Sequence, residues 1–124
     1  MNKSLNNFLD IFEDEIKFSN DYKKCLNHFI KTLKENQMKY YKELGYKLYI
    51  NNPEKITIKD GLKYDKIIIG GGRVLCFINV ENGDIYKPAN WSSPYRRGNN
   101  YVRGSIFNIN SYINADINGG FLYR

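Results

Sequence analysis

The hydrophobic residues of this chain change their spacing at Gly45, and this change constrains the fold more than any other feature. Before Gly45 they recur every three or four residues, as they do on one side of an α-helix. After Gly45 they alternate or form short runs rich in isoleucine and tyrosine, which is typical of β-strands. The sequence therefore predicts an α+β fold in which residues 1–45 are helical and residues 46–124 form a sheet.

Two helices are predicted before Gly45, and the second is long. Ser4 is a candidate N-cap for the first, whose amphipathic stripe consists of Leu5, Phe8, Leu9, Phe12 and Ile16. Residues 18–21 offer a second cap, and the next stripe runs from Tyr22 to Leu44, with Gly45 as the C′ residue. A helix of roughly 23 residues is about 34 Å long. Because a small sheet covers less than that, we expect the remaining apolar surface to contact a second subunit, in a homodimer or a dimer-based higher oligomer.

Strand candidates follow Gly45 at short intervals. They span Tyr46–Ile50, Lys55–Ile58, Tyr64–Ile69, Arg73–Val80 and Ile85–Lys87. The turn at residues 81–84 contains Asn82-Gly83, the pair typical of a two-residue hairpin in which both residues tolerate positive φ. We also expect a closing strand near the end of the chain, within residues 105–124. These elements predict an antiparallel meander behind the helices, in a single domain of residues 1–124.

The composition fits one soluble domain. The chain has 124 residues, enough for one core, and its 42% hydrophobic and 26% charged residues are ordinary for soluble proteins. The N-terminus mixes acids with apolar residues, so we expect neither a signal peptide nor a membrane span, and no membrane partner. Two cysteines do not build a disulfide framework, which favours a reducing cytoplasm. The net charge of +6 favours anionic partners such as phosphates, nucleotides or nucleic acid.

Residues 88–104, called the basic loop below, show no period. With Lys87 they form a segment without any acid, in which four cations alternate with three aromatic residues. An arginine fork can hold a phosphate through two hydrogen bonds, and an aromatic face can stack on a base. The alternative is a solvated loop whose aromatic residues fix it to the sheet. We predict a ligand-facing surface from Lys87 to Phe107. Its candidate residues are Lys87, Asn90, Trp91, Tyr95, Arg96, Arg97, Arg103 and Phe107.

Other residues that could perform chemistry favour structural roles. The run of glycines at 70–72 lacks the lysine and the following helix of a phosphate-binding loop, so a hairpin turn is predicted there. His28 is the single histidine, and Cys25 and Cys76 are expected to be small buried apolar residues. Because no base stands near a candidate nucleophile, we expect a binding protein that has no catalytic residues, cofactor or metal.

The C-terminal half also contains a series of motifs that resembles a known family. The stretches are Val74–Ile78, Asn82–Trp91 and Arg103–Phe107. They are similar to small phage proteins with a strand, a turn, a Lys-(Pro/Ala)-Ala-x-Trp segment and a closing Arg-Gly-x-Ile-Phe. We identify these proteins with the phage anti-Thoeris sponge family, whose helical N-terminal third and following sheet agree with the order predicted here.

This resemblance implies a phage anti-defence protein that sequesters a cyclic ADP-ribose isomer, made by a bacterial immune TIR enzyme, without degrading it. Such proteins are oligomers built from dimers in the cytoplasm of the infected bacterial host, and some also hold cyclic oligonucleotides at separate sites. For this ligand, Trp91 or a tyrosine would stack, the arginines would neutralise the diphosphate, and Asn90 would contact a ribose or base edge. The loop after Trp91 is longer than in the family motif, which leaves open whether Arg96 or Arg97 faces the ligand.

Two further functions stay open. The same arginines and rings could bind a single-stranded nucleic acid of a phage along an open groove. Strand binding would weaken steeply with salt, whereas a sponge would saturate at a fixed stoichiometry per dimer. A phosphodiesterase or nucleotide-modifying enzyme would return an altered ligand, and a sponge would return it intact.

Overall fold

The computed structural model describes residues 21–123, so the first predicted helix lies outside the described residues. Helix α1 spans Tyr22–Leu44, as the sequence predicts. It begins where the Asp21 side chain accepts a hydrogen bond from the Lys24 N–H (3.2 Å). It ends at Gly45, whose φ of 70° lets its N–H return to the Lys42 carbonyl (3.2 Å). Only glycine takes this left-handed conformation at little cost, which confirms the predicted C-terminus of α1.

The next element corrects the sequence prediction. Residues Lys47–Asn51 form a short helix, α2, where a strand was expected at Tyr46–Ile50. A helical turn places Tyr46 and Tyr49 on one side, three residues apart, and their rings lie 5.8 Å from each other. A strand would send them to opposite faces. The contact between these rings, and that of Tyr49 with Tyr41 of α1 (5.3 Å), are the packing that favours the helix.

Five antiparallel strands follow in the order of a meander, which confirms the predicted architecture. Their bounds are β1 Ile56–Lys59, β2 Tyr64–Ile69, β3 Arg73–Asn79, β4 Asp84–Tyr86 and β5 Gly104–Ser105. The glycines at 70–72 join β2 to β3, as expected, and a shift of register at residues 67–68 bends that hairpin.

The turn between β3 and β4 is longer than the predicted two-residue hairpin. Of its Asn82-Gly83 pair only Gly83 has a positive φ, of 76°. The Gly83 N–H donates to the Asn79 carbonyl (2.8 Å), and Asn79 Oδ1 accepts from the Glu81 and Asn82 N–H groups (2.8 and 3.2 Å). The side chain of Asn79 therefore accepts hydrogen bonds from two backbone N–H groups of this longer turn, which have no partner in the strand ladder.

The predicted closing strand near the end of the chain is wrong. After β5, residues Ile109–Ser111 and Gly120–Tyr123 form 3₁₀ helices. Short polar side chains start these turns, because Asn108 Oδ1 accepts from the Asn110 N–H (3.1 Å) and Asp116 Oδ1 from the Asn118 N–H (3.0 Å). The turns still bury Tyr112, Ala115, Ile117, Phe121 and Leu122.

The core lies between α1 and one face of the sheet. Alternation along β2 and β3 points Ile67, Ile69 and Ile78 at Phe29 and Leu33 of the helix, and all five are at most 2% exposed. The basic loop is irregular, as predicted. Within residues 21–123, no helix is both long and apolar enough to cross a membrane. The described residues form a single small α+β domain.

Candidate functional site

The sheet face opposite α1, called the outer face below, is aromatic and cationic. Tyr64 and Lys66 of β2 alternate with its buried core residues, and Phe77 of β3 and Tyr86 of β4 lie beside them in register. The Tyr64 ring meets Phe77 and Tyr86 edge-on, at centroid distances of 6.2 and 5.7 Å. Phe77 and Tyr86 are buried, yet they do not belong to the main core. They are therefore covered by another part of the chain.

The basic loop provides that cover. Its middle and its C-terminal end are tied to β4 and the residue after it: the Tyr95 N–H donates to the Lys87 carbonyl (2.9 Å), and the Arg103 N–H donates to the Ile85 carbonyl (2.7 Å). The ring of Tyr101 stacks on that of Tyr86 at 6.0 Å and 13°. The loop therefore lies over the outer face in a defined conformation and is not merely a solvated connection.

Asn90 shapes the part of the loop that presents Trp91. Its Oδ1 accepts hydrogen bonds from the Ser92 N–H (2.8 Å), the Ser93 N–H (3.0 Å) and the Ser93 hydroxyl (3.1 Å). This is a turn closed by an asparagine side chain. Because the oxygen already serves the loop, a contact of Asn90 with a ribose or a base would come from its Nδ2.

Cations lie over the rings where the loop meets the sheet. Lys66 Nζ is 4.3 Å from the centroid of Trp91 and 5.7 Å from that of Phe77. The guanidinium carbon of Arg96 is 5.9 Å from the centroid of Tyr64. At these distances the cation is attracted to the negative face of the ring. The structure thus brings the predicted Trp91 and Arg96 together with Lys66 and Tyr64, which the sequence analysis did not include.

Lys87 forms a second group of this kind. Its Nζ lies 4.5 Å from the centroid of Tyr95 and 5.0 Å from that of Tyr123. Tyr123 belongs to the last 3₁₀ helix, so this contact joins the loop to the C-terminal turns. Lys87 and Tyr95, both predicted site residues, are half-buried.

The rings and cations of the loop remain accessible. Trp91 is 46% and Tyr101 37% exposed, and Arg96 and Arg97 are exposed. A carboxylate, Asp84, lies on the same strand as Tyr86 and next to it on that face. Burial raises the pKa of Asp84, and its hydrogen bond with Tyr86 partly opposes this rise. Burial, and then the proximity of Asp84, raise the pKa of the Tyr86 hydroxyl. An acidic side chain and a tyrosine hydroxyl therefore adjoin the cationic loop.

The last two predicted site residues are Arg103 and Phe107. Arg103 is half-buried and lines a shallow cavity of ≈ 300 Å³ together with Asn100, Val102, Ser111 and Phe121. Phe107 packs against the main core and against Gly83, where an added Cβ would lie 2.9 Å from its ring. Phe107 therefore has a clear structural role, and Arg103 is a predicted cation that lines a concave surface.

The residues that could carry covalent or metal chemistry are structural in the described part of the chain. Cys25 and Cys76 are buried free thiols, and burial raises the pKa of both. His28 Nδ1 lies 2.5 Å from the hydroxyl of Tyr112, which is itself fully buried. Within residues 21–123, no group of three His, Cys, Asp or Glu side chains could hold a metal ion.

The sequence of this chain matches a family over almost its whole length. The family is DUF7717, described as a family of unknown function, and the match covers residues 5–124. The chain belongs to DUF7717. No curated protein and no solved structure matches it.

The outer-face residues of this DUF7717 chain were detectable in the sequence by one signal. Tyr64 and Lys66 alternate with Ile67 and Ile69 along the same strand, so the period of two predicts that they face away from the isoleucines and the core. The glycine turn at 70–72 then sets which residues of β3 lie opposite them. What the sequence did not reveal is that the basic loop folds back onto that face.

Proposed function

We propose that this DUF7717 protein binds an anionic nucleotide-type ligand on the outer face and the basic loop, and sequesters it without chemical change. The observation that carries this proposal is that each ring–cation pair has an exposed member: Trp91 is exposed beside the half-buried Lys66, and Arg96 is exposed over the half-buried Tyr64. Trp91 offers a face for a base, while Lys66 and Arg96 lie at the rings and can turn to phosphate oxygens. These are the two kinds of contact that a nucleotide needs.

The proposed ligand is a cyclic ADP-ribose isomer, following the family resemblance of the motifs. Its purine would stack on Trp91 or Tyr101, and its diphosphate would recruit Arg96 or Arg97. The cavity at Arg103 is a second place where a phosphate could lie, and cyclic oligonucleotides are the ligand class to test there. In this proposal the protein serves a phage against host defence, in the cytoplasm of the infected bacterium.

The open shape of this face favours a homodimer in the proposal. Trp91 is nearly half exposed, so the binding surface of one subunit is open and does not enclose a ligand. High affinity for a small ligand needs most of its surface to be buried. A second subunit would supply the missing wall, and each ligand would then be held at a fixed ratio per dimer.

A single-stranded nucleic acid is the second candidate, and the same openness favours it. Exposed rings beside arginines, without an enclosing wall, are typical of surfaces on which successive bases stack. The affinity of such a surface rises with strand length and falls steeply with salt.

Calorimetric titration of the full chain separates the candidates. Cyclic ADP-ribose isomers are titrated beside a short oligonucleotide at low and high salt. The proposal expects saturation by a cyclic isomer at a fixed ratio per dimer, with a weak dependence on salt. The variant Arg96→Ala should lower the affinity, while Lys23→Ala, an exposed cation on α1, should not. If only the oligonucleotide binds, and its affinity rises with strand length, the protein is a single-stranded nucleic-acid-binding protein.

The fate of the ligand tests sequestration. After incubation, the protein is denatured by heat and the released ligand is analysed. Intact ligand is the expected result. Recovery of an altered ligand would mean that the protein turns the ligand over and does not sequester it.

A further inference from the structure

An exposed aromatic patch lies at the junction of α1 and α2, away from the residues used above. Its members are large apolar side chains with exposed fractions from 36% to 80%, which is unusual for a surface of contiguous residues. They are called the tyrosine patch below, and they are Tyr40, Leu44, Tyr46, Leu48 and Tyr49.

The patch is pre-ordered by contacts among its own rings. Tyr46 lies 6.3 Å from Tyr40, nearly perpendicular to it, and 5.8 Å from Tyr49. Tyr49 in turn stacks on the buried Tyr41 at 5.3 Å and 26°. Side chains already held in place lose little conformational freedom when a partner covers them. Such rigid tyrosines are the kind of residue enriched at the centres of interfaces.

The patch continues the buried stripe of α1 beyond the sheet. Along the helix the last buried side chain is Tyr41, at 4% exposed, and one turn later Leu44 is 47% exposed. The helix has 23 residues, whereas the longest strand has seven. Among residues 21–123, the apolar surface of α1 therefore extends beyond the part that the sheet covers, and it ends at an exposed edge.

We propose that a second copy of this chain covers the tyrosine patch in an isologous homodimer. The exposed aromatic and leucine surface is on the order of 500 Å² per copy, against about 800 Å² per partner in a standard interface. The rim of the patch holds both signs of charge, because Glu43 lies between Lys42 and Lys47 in the sequence. Two copies can therefore pair opposite charges, whereas a purely basic rim would favour an acidic partner. An interface of this size lies near the lower limit for a specific complex, so we expect a weak dimer.

This inference names the contact surface of the homodimer in the proposed function, and it rests on that homodimer. It also places the two-fold contact of that homodimer at the α1–α2 junction.

Sedimentation equilibrium of the full chain, from about 5 to about 500 µM, tests the inference, because this range detects a weak dimer. The variant is Leu48→Asp, at an 80% exposed position where the fold tolerates a charge. The matched control is Leu62→Asp, which changes a fully exposed leucine outside the patch. We expect the wild type and Leu62→Asp to dimerise alike, and Leu48→Asp to raise the dissociation constant at least tenfold.

Two results would overturn the interface. One is a wild-type chain that stays monomeric over the whole concentration range. If that monomer binds vesicles of phosphatidylcholine and phosphatidylglycerol through Leu48, the partner of the tyrosine patch is a lipid surface and not a second copy. The other is a Leu48→Asp dimer as tight as that of Leu62→Asp. Nucleotide titration of the same samples separates the proposals: a dimer that binds no nucleotide refutes the function alone, and a monomeric wild type that binds nucleotide refutes the interface alone.

Discussion

Replacing Gly83 by alanine should weaken the fold more than the same change at Gly45, although both glycines have a positive φ. The angles are similar, 76° at Gly83 and 70° at Gly45. Their surroundings differ. A Cβ at Gly83 would lie 2.9 Å from two ring carbons of Phe107 and 3.1 Å from Ile106 Cγ1, whereas a Cβ at Gly45 would meet nothing within 4 Å. Gly45→Ala is therefore a control for backbone strain alone.

The magnitudes follow from these two terms. An alanine held in the left-handed region costs roughly 1–2 kcal/mol, part of which is recovered because the unfolded chain loses freedom. We expect Gly45→Ala to lower the free energy of unfolding by about 1 kcal/mol. Forcing a methyl group against packed side chains adds roughly 1–3 kcal/mol. The expected loss for Gly83→Ala is therefore about 2–4 kcal/mol.

Urea denaturation followed by circular dichroism measures both losses, provided that the slope of each transition stays that of the wild type. The midpoint of Gly83→Ala should fall well below that of Gly45→Ala. Equal midpoints would refute the reasoning, because they would mean that Phe107 moves aside at no cost. The turn would then not hold β4 and the basic loop against the core.

Two other variants test the outer face. Lys66→Met should lower the affinity for the nucleotide roughly tenfold or more, because a charge-assisted hydrogen bond is lost. The free energy of unfolding should fall by at most about 2 kcal/mol, because the half-buried Lys66 also loses its contacts with the Trp91 and Phe77 rings. An unchanged affinity would remove Lys66 from the site. Asp84→Asn should raise the affinity for an anionic ligand and remove a pH-dependent loss of stability. Because burial raises the pKa of Asp84 in the folded state, the folded chain holds this proton to a higher pH than the unfolded chain, so stability falls as the pH rises between those two pKa values. A wild type and Asp84→Asn with the same pH profile of the urea midpoint would contradict this assignment.

Much of the fold could be predicted because local signals agreed with the final packing. The stripe from Tyr22 to Leu44 and the left-handed Gly45 both define α1, and the alternation of Tyr64–Ile69 defines β2 with its bounds. The predictions failed where contacts with distant residues decide the conformation. Tyr46–Ile50 has the composition of a strand, but its rings pack on Tyr40 and Tyr41 as a helical turn.

The candidate site was predictable in its composition and not in its arrangement. The acid-free run of arginines and rings pointed to the basic loop. The loop's position over Tyr64, Lys66 and Phe77 depends on contacts between segments that are far apart in sequence, which no local pattern encodes. For the same reason the sequence could not tell that Phe107 lies against Gly83 while Trp91 stays exposed.

The fluorescence of Trp91 tests the central claim most directly, since it is the single tryptophan of the chain and lies on the proposed surface, 46% exposed. Titration with a cyclic ADP-ribose isomer should shift and quench its emission in a saturable way, at the stoichiometry found by calorimetry. Calorimetric binding that leaves the emission of Trp91 unchanged would place the ligand elsewhere on the molecule and contradict the account.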